Sequence, residues 1–88
     1  MVKYKIVFTK KAAKDAPLLN AAGLKQNAID ILNILEINPF QNPPSYEKLK
    51  GDLAGAYSRR LNIQHRIVYQ VFEEKKTVKI LRMWTHYE

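Results

Sequence analysis

At 88 residues the chain has room for one core and one domain, residues 1–88, so any active site shares its framework with that core. Its composition, 47% hydrophobic and 26% charged, is that of a foldable chain and not of a disordered tail, and the lack of cysteine excludes a disulfide framework or a thiolate metal site. Fifteen Lys and Arg against eight Asp and Glu leave a net charge of +7, a field that attracts polyanions, nucleic acid first among them, unless it serves solubility alone.

The opening MVKYKIVF is too short and too charged for a secretory apolar region, and no run approaches the ~18 apolar residues of a membrane span. A cytoplasmic protein with no membrane partner is expected. Val2 to Phe8 alternates lysines with apolar residues and predicts a strand with one buried face. Thr9 reads as the N-cap of a first helix from Lys10, with Ala12, Ala16 and Leu19 as its apolar face and Pro17 expected to kink or break it. Gly23 separates this helix from a second, Leu24 to about Ile37, whose Leu24, Ala28, Ile31, Leu32 and Leu35 form a wide apolar stripe.

Asn38-Pro39 ends the second helix, and Asn42-Pro43-Pro44-Ser45 continues as an irregular, extended connection. Two or three extended segments rich in β-branched and aromatic residues follow, over Tyr57 to Ile63, His65 to Phe72 and Thr77 to Trp84. Glu73-Glu74-Lys75-Lys76 predicts a polar turn between the last two, and Tyr69 and Phe72 read as core rings. This order predicts an α+β fold, with two N-terminal helices packed on one face of a small twisted antiparallel β-sheet. The chain ends on MWTHYE, where Met83 and Trp84 read as the last packed residues of a strand.

Chemistry concentrates from Tyr46 onward, where Glu47, Lys50, Arg59, Arg60, His65, Arg66, Arg82, His86 and Tyr87 fall in a section that is otherwise sheet. These are the ingredients for cleaving a phosphodiester without metal. A base removes the 2′-hydroxyl proton, cations stabilise charge on the phosphorus oxygens, and an acid protonates the departing 5′ oxygen. Each residue also has an ordinary structural role open to it. Glu47 and Lys50 can be solvated charges, Arg66 an ion-pair partner, His86 a terminal histidine and Tyr87 a core ring. Arg59 and Arg60 point to opposite faces of a strand, so one can stay solvated while the other faces a ligand. Two histidines without cysteine give no metal-ligand spacing, and with three glycines there is no phosphate loop or dinucleotide fingerprint, so no cofactor is expected.

Register decides whether this set converges. A two-residue turn at Glu74-Lys75 sets Arg66 opposite Met83 and parts it from His86, whereas one extra residue sets it opposite Trp84, on the face of Arg82 and His86. A connection through Ile63-Gln64-His65 sets Arg60 nearly opposite Arg66, where like charges repel unless an anion lies between them. An odd turn or a bulge is therefore expected.

The stretch YEKLKGDLAGAYSRRLNIQHRIVYQVFEEKKTVKILRMWTHYE resembles the Txe/YoeB family of bacterial toxins, within the RelE/ParE superfamily of toxin–antitoxin systems. The SRR…HRIVY core followed by a terminal His-Tyr carries the likeness, which extends more weakly through the helical half. It implies a ribosome-dependent endoribonuclease that cuts mRNA in the A site and is neutralised by a cognate antitoxin of YefM/Axe type, with a homodimer as a further expectation. It also implies Glu47 as general base, Arg66 as phosphate-stabilising cation and His86 as general acid, with Lys50, Arg60 and Tyr87 contacting RNA or phosphate. The same superfamily contains inhibitors of DNA gyrase, and a passive RNA- or ribosome-binding module is a third alternative. Three features depart from the family pattern: Gln64 replaces an acid found in a well-known relative, Glu88 extends past the His-Tyr end, and the first helix is Ala-rich with Pro17 where relatives carry Trp and Tyr.

Overall fold

The computed structural model describes residues 3–42, 45–51, 55–62 and 65–85, without the side chains of 84 and 85. In chain order the elements are β1 (Lys5–Phe8), α1 (Lys10–Ala21), α2 (Lys25–Ile37), β2 (Glu47–Lys48), β3 (Ala56–Arg60), β4 (Arg66–Phe72) and β5 (Thr77–Thr85). The strands form one sheet in the order β1-β5-β4-β3-β2.

Strands β2 to β5 pair antiparallel, as expected, but β1 lies parallel to β5 and makes the sheet mixed. The alternation within Val2 to Phe8 identifies a strand without identifying its neighbour. Partner and direction come from a crossover through both helices and three strands. Not anticipated as an element is β2, a two-residue edge strand just after the Asn42–Ser45 connection, too short to show any periodicity.

Thr9 caps α1 as its sequence suggests, its Oγ1 accepting from Ala12 N at 3.1 Å. Pro17 lies inside α1 without ending it. Both Pro17 and Ala13, whose carbonyl lacks the usual N–H partner, are exposed, so water can serve that oxygen. The buried face of α1 is Ala12, Asp15 and Leu19, while Ala16 is exposed. On α2, Ala28, Ile31 and Leu35 are buried as the stripe requires, with Leu24 at the N-cap and Leu32 half-buried.

These helical residues pack on Ile67 and Tyr69 of β4 and on Val78, Ile80 and Met83 of β5. Alternation sends Ala56, Val68 and Leu81 to the other side of the sheet, where they form a small cluster with Leu49. One face is thus covered by helices and the other is open. Phe72, read as a core ring, is exposed near the end of its strand.

The strand β5 is irregular where it passes β4. Phe72 faces Thr77 and Tyr69 faces Ile80 in one register, then Val68 faces Arg82 and Arg66 faces Thr85, each after a shift. Of the two expected alternatives the bulge is present, and its two shifts set Arg66 opposite Thr85, one residue beyond the Trp84 that a single extra residue would give. Backbone groups at the bulge are taken up by α1 and its cap. Thr9 Oγ1 donates to Leu81 O at 2.8 Å, and Met83 N donates to Asp15 Oδ2 at 3.0 Å.

On the helix side of β3, Arg59 is a buried anchor, contrary to the expectation that one of the two arginines is solvated while the other meets a ligand. Its Nη2 donates to Pro39 O at 3.0 Å and Gln41 O at 2.8 Å, and its Nε donates to the Tyr69 hydroxyl at 3.1 Å, which itself donates to Pro39 O at 3.0 Å. Burial raises the Tyr69 pKa above the ordinary phenol value, against a lowering by Arg59. Replacing Arg59 with Met keeps the bulk but removes the guanidinium donors to both carbonyls and to the Tyr69 hydroxyl, which should cost about 2–4 kcal/mol. Urea unfolding should show this as a lower midpoint at unchanged slope; a native midpoint would contradict the anchoring role.

Candidate active site

The registers of β2, β3 and β4 bring Glu47, Ser58, Arg60 and Arg66 together on the open face. Glu47 faces Ser58, and Arg60 faces Arg66 as expected. Arg66 Nη1 donates to Glu47 Oε2 at 2.9 Å and to Ser58 Oγ at 3.2 Å. The side chain of Arg66 is only 13% exposed while that of Glu47 is 59% exposed. The guanidinium is therefore sunk into the face, and the carboxylate is the partner that solvent or a ligand can reach.

Glu47 titrates below the usual carboxylate range, first because of its hydrogen bond from Arg66, then because of the Arg66 charge, with desolvation opposing and Arg60 adding the smallest lowering. It is thus ionised at neutral pH. Arg60, directly across from Arg66, places a second cation beside the same carboxylate. An anion between the two arginines removes a repulsion that the sheet otherwise imposes. Lys50 is exposed just beyond β2, after Leu49, whose N–H donates to Ala56 O at 2.9 Å and closes the β2–β3 pairing.

The position of Glu47 is fixed from the other side of the sheet. Tyr46, the preceding residue, packs against Phe40 and Tyr57 with ring centroids 6.0 and 5.8 Å away, and the Arg59 guanidinium lies 5.0 Å from its ring centre. Along an extended backbone, anchoring Tyr46 inward turns Glu47 outward. Arg66 is oriented through the 61–65 connection, where Leu61 N donates to His65 O at 2.8 Å and His65 N to Asn62 Oδ1 at 2.7 Å.

Of the expected site residues, Glu47, Arg60 and Arg66 converge and Lys50 lies at the margin. His86 and Tyr87 lie outside the described residues, as do Gln64, Glu88 and the side chain of Trp84. Arg82 does not join the open-face group, since its Nε donates to Asp15 Oδ2 at 2.9 Å and its Nη2 to Oδ1 at 3.2 Å. Its pKa is raised by this hydrogen bond, with desolvation opposing. Ser58 and Asp15 are contacts that the sequence reading missed. For Asp15 the available signal was its place three residues after Ala12 on the face that also carries Leu19. Among the described residues no three His, Cys, Asp or Glu side chains cluster as a metal site, and no helix is long and apolar enough to cross a membrane.

Substituting Arg66 with Met removes both the hydrogen bond and the charge that favour the Glu47 carboxylate, so the Glu47 pKa should rise toward its ordinary value. A carboxyl-carbon NMR titration of the two proteins measures this, and an unchanged titration would refute the pairing.

A family model described as the YoeB-like toxin of bacterial type II toxin–antitoxin systems matches residues 8–87. The chain is 39% identical over 41 residues to Toxin YoeB of Streptomyces coelicolor, covering 47% of this chain and 49% of the relative. It is 32% identical over 57 residues to Toxin YoeB of Mycobacterium bovis, covering 65% of each. The matched stretches thus span about half to two thirds of these curated relatives. Among solved structures, the YoeB/ParE toxin of Agrobacterium tumefaciens superposes with a TM-score of 0.84 at 29% identity, covering 94% of this chain and 99% of that one. Staphylococcus aureus YoeB, seen in a YoeB–YefM complex and as a dimer, superposes with TM-scores of 0.79 and 0.80 at 30% identity, covering 96% of this chain and 98% of the other. The match over nearly the whole chain and the α+β fold agree, and the chain belongs to the YoeB-like toxins of type II toxin–antitoxin systems, within the RelE/ParE superfamily.

Proposed function

We propose that this toxin is a metal-independent endoribonuclease that cleaves mRNA in the ribosomal A site. The observation that carries the reading is the open-face group in which a reachable carboxylate is paired to a sunken arginine, with a second arginine directly opposite. A phosphodiester entering this face offers oxygens to Arg66 and Arg60, with Lys50 supplying further charge. It thereby competes with Glu47 for the Arg66 fork. Once the pair is loosened, the carboxylate loses what depresses its pKa and becomes a better base as substrate binds.

Glu47 takes the 2′-hydroxyl proton, and the 2′ oxygen attacks phosphorus. Arg66, Arg60 and Lys50 stabilise the added negative charge, the bond to the 5′ oxygen breaks, and His86 protonates that oxygen. The products are a 2′,3′-cyclic phosphate, or its hydrolysis product, and a free 5′ hydroxyl. Tyr87 orients the phosphate or a base. The Ser58 hydroxyl and the anchored Tyr46 hold the geometry that makes such transfers efficient.

Such a protein works in the cytoplasm, on ribosomes that its +7 charge helps it to find. Its partner in the resting cell is an antitoxin of YefM/Axe type, in line with the S. aureus YoeB–YefM complex; on this reading the antitoxin brings an acidic and apolar segment that folds on binding over the basic face. A second copy of the chain is the other candidate partner, since the S. aureus relative also forms a dimer.

Ribosomes programmed with a defined message test the reading directly. The native chain should cut in the A site, and His86→Gln and Glu47→Gln should each lose roughly 10²–10⁴-fold in rate. An uncut message would overturn the ribonuclease reading in favour of a protein-target inhibitor or a passive binder. Full-rate cutting by His86→Gln would remove the assigned acid.

A further inference from the structure

We infer that Asp15, on the helix side of the sheet, is a positioning residue for the open-face site and acts through the end of β5; this rests on the ribonuclease reading above. Asp15 is 4% exposed on the buried face of α1. Its carboxylate accepts hydrogen bonds from Nε and Nη2 of Arg82 and from the backbone N–H of Met83. These bonds reach the strand where its register against β4 shifts.

The consequence for the site follows from counting. If the register of Tyr69 and Ile80 continued unbroken, Arg66 would face Met83. With the bulge it faces Thr85, the residue before His86 in the chain. Two residues of strand amount to about 6–7 Å, so the register decides which residue at the end of β5 stands level with Arg66. A bulge costs ladder hydrogen bonds, and the backbone groups it frees need other partners. Here Asp15 takes the Met83 N–H and Thr9 takes the Leu81 carbonyl, so α1 stabilises the irregular register over the regular one. Burying a carboxylate in this position is an inefficient source of stability, because an apolar side chain would avoid its desolvation. What the carboxylate adds is a choice of register.

A double-mutant cycle in single-turnover cleavage on programmed ribosomes separates positioning from general support. Asp15→Asn cannot accept the second bond from Arg82. It should lower the native rate by roughly 10²-fold with ribosome affinity unchanged. In the His86→Gln background the same substitution should cost about 2-fold or less, since the group it positions is already gone. An equal loss in both backgrounds would show a merely structural role, and a native rate for Asp15→Asn would show none; either result overturns the inference. If Asp15→Asn does not fold, Arg82→Met, which leaves the bond from Met83 N to Asp15, takes its place. It should show a loss of about 10-fold confined to the His86 background, with an additive or absent loss again overturning the inference. Failure of the native chain to cut would instead strike the ribonuclease reading, and this inference with it.

Discussion

The seal that α1 places on the bulge of β5 is the constraint from which the rest of the arrangement follows. β5 is the only strand of the described sheet that joins a parallel neighbour to an antiparallel one, with β1 on one side and β4 on the other. Thr9 links three parts of the molecule at this point. Its N–H donates to Ile80 O, its hydroxyl donates to Leu81 O, and the same oxygen accepts from Ala12 N to start the helix. The cap that begins α1 is therefore also a contact with β5, and one turn later Asp15 meets the strand again. Helix docking and strand register are set by the same few atoms.

The open face is governed by a different balance. Arg60 and Arg66 face one another across the β3–β4 ladder, an arrangement that opposes strand pairing. Glu47 lessens the repulsion, at the cost of holding a flexible, largely exposed side chain in one place. The cation of this pair is fixed by Ser58 and largely sunken, while its anion stays reachable from solvent.

What sequence reasoning reached and what it missed divide along the range of the interactions. The Thr9 cap, the face of α2, the β4 and β5 segments and the polar turn depend on neighbours within a few residues, and their residue types declare them. The β1–β5 pairing joins the two ends of the chain, and no local pattern encodes its direction. Glu47 and Arg66 are 19 residues apart and meet only because β2, β3 and β4 lie in particular registers. Their roles could be named by resemblance, but not their contact. Arg59 and Arg60 are chemically identical, and the burial of one goes with the carbonyls of Pro39 and Gln41, which it meets just after α2. Asp15 was hidden by the assumption that the buried face of a helix is apolar. A carboxylate there is informative because apolar packing has no use for it.

The sheet itself explains why buried charges and exposed charges coexist in so small a protein. Extended backbone sends successive side chains to opposite sides, so each open-face residue has a neighbour that can be anchored beneath it. Tyr46 is held among rings and against Arg59, and Glu47 emerges next to it. Arg59 is locked to two carbonyls, and Arg60 emerges next to it. At the end of β5 the same logic is interrupted, because regular pairing would set Met83 opposite Arg66, whereas Thr85 is the residue found there. The bulge shifts the strand, and a bulge needs partners for the backbone groups it releases. Those partners come from α1 on the covered side, where water is excluded and a carboxylate's hydrogen bonds are strongest. The helices thus do more than complete the core: they supply the polar contacts that allow one irregular strand to serve an open face they never touch.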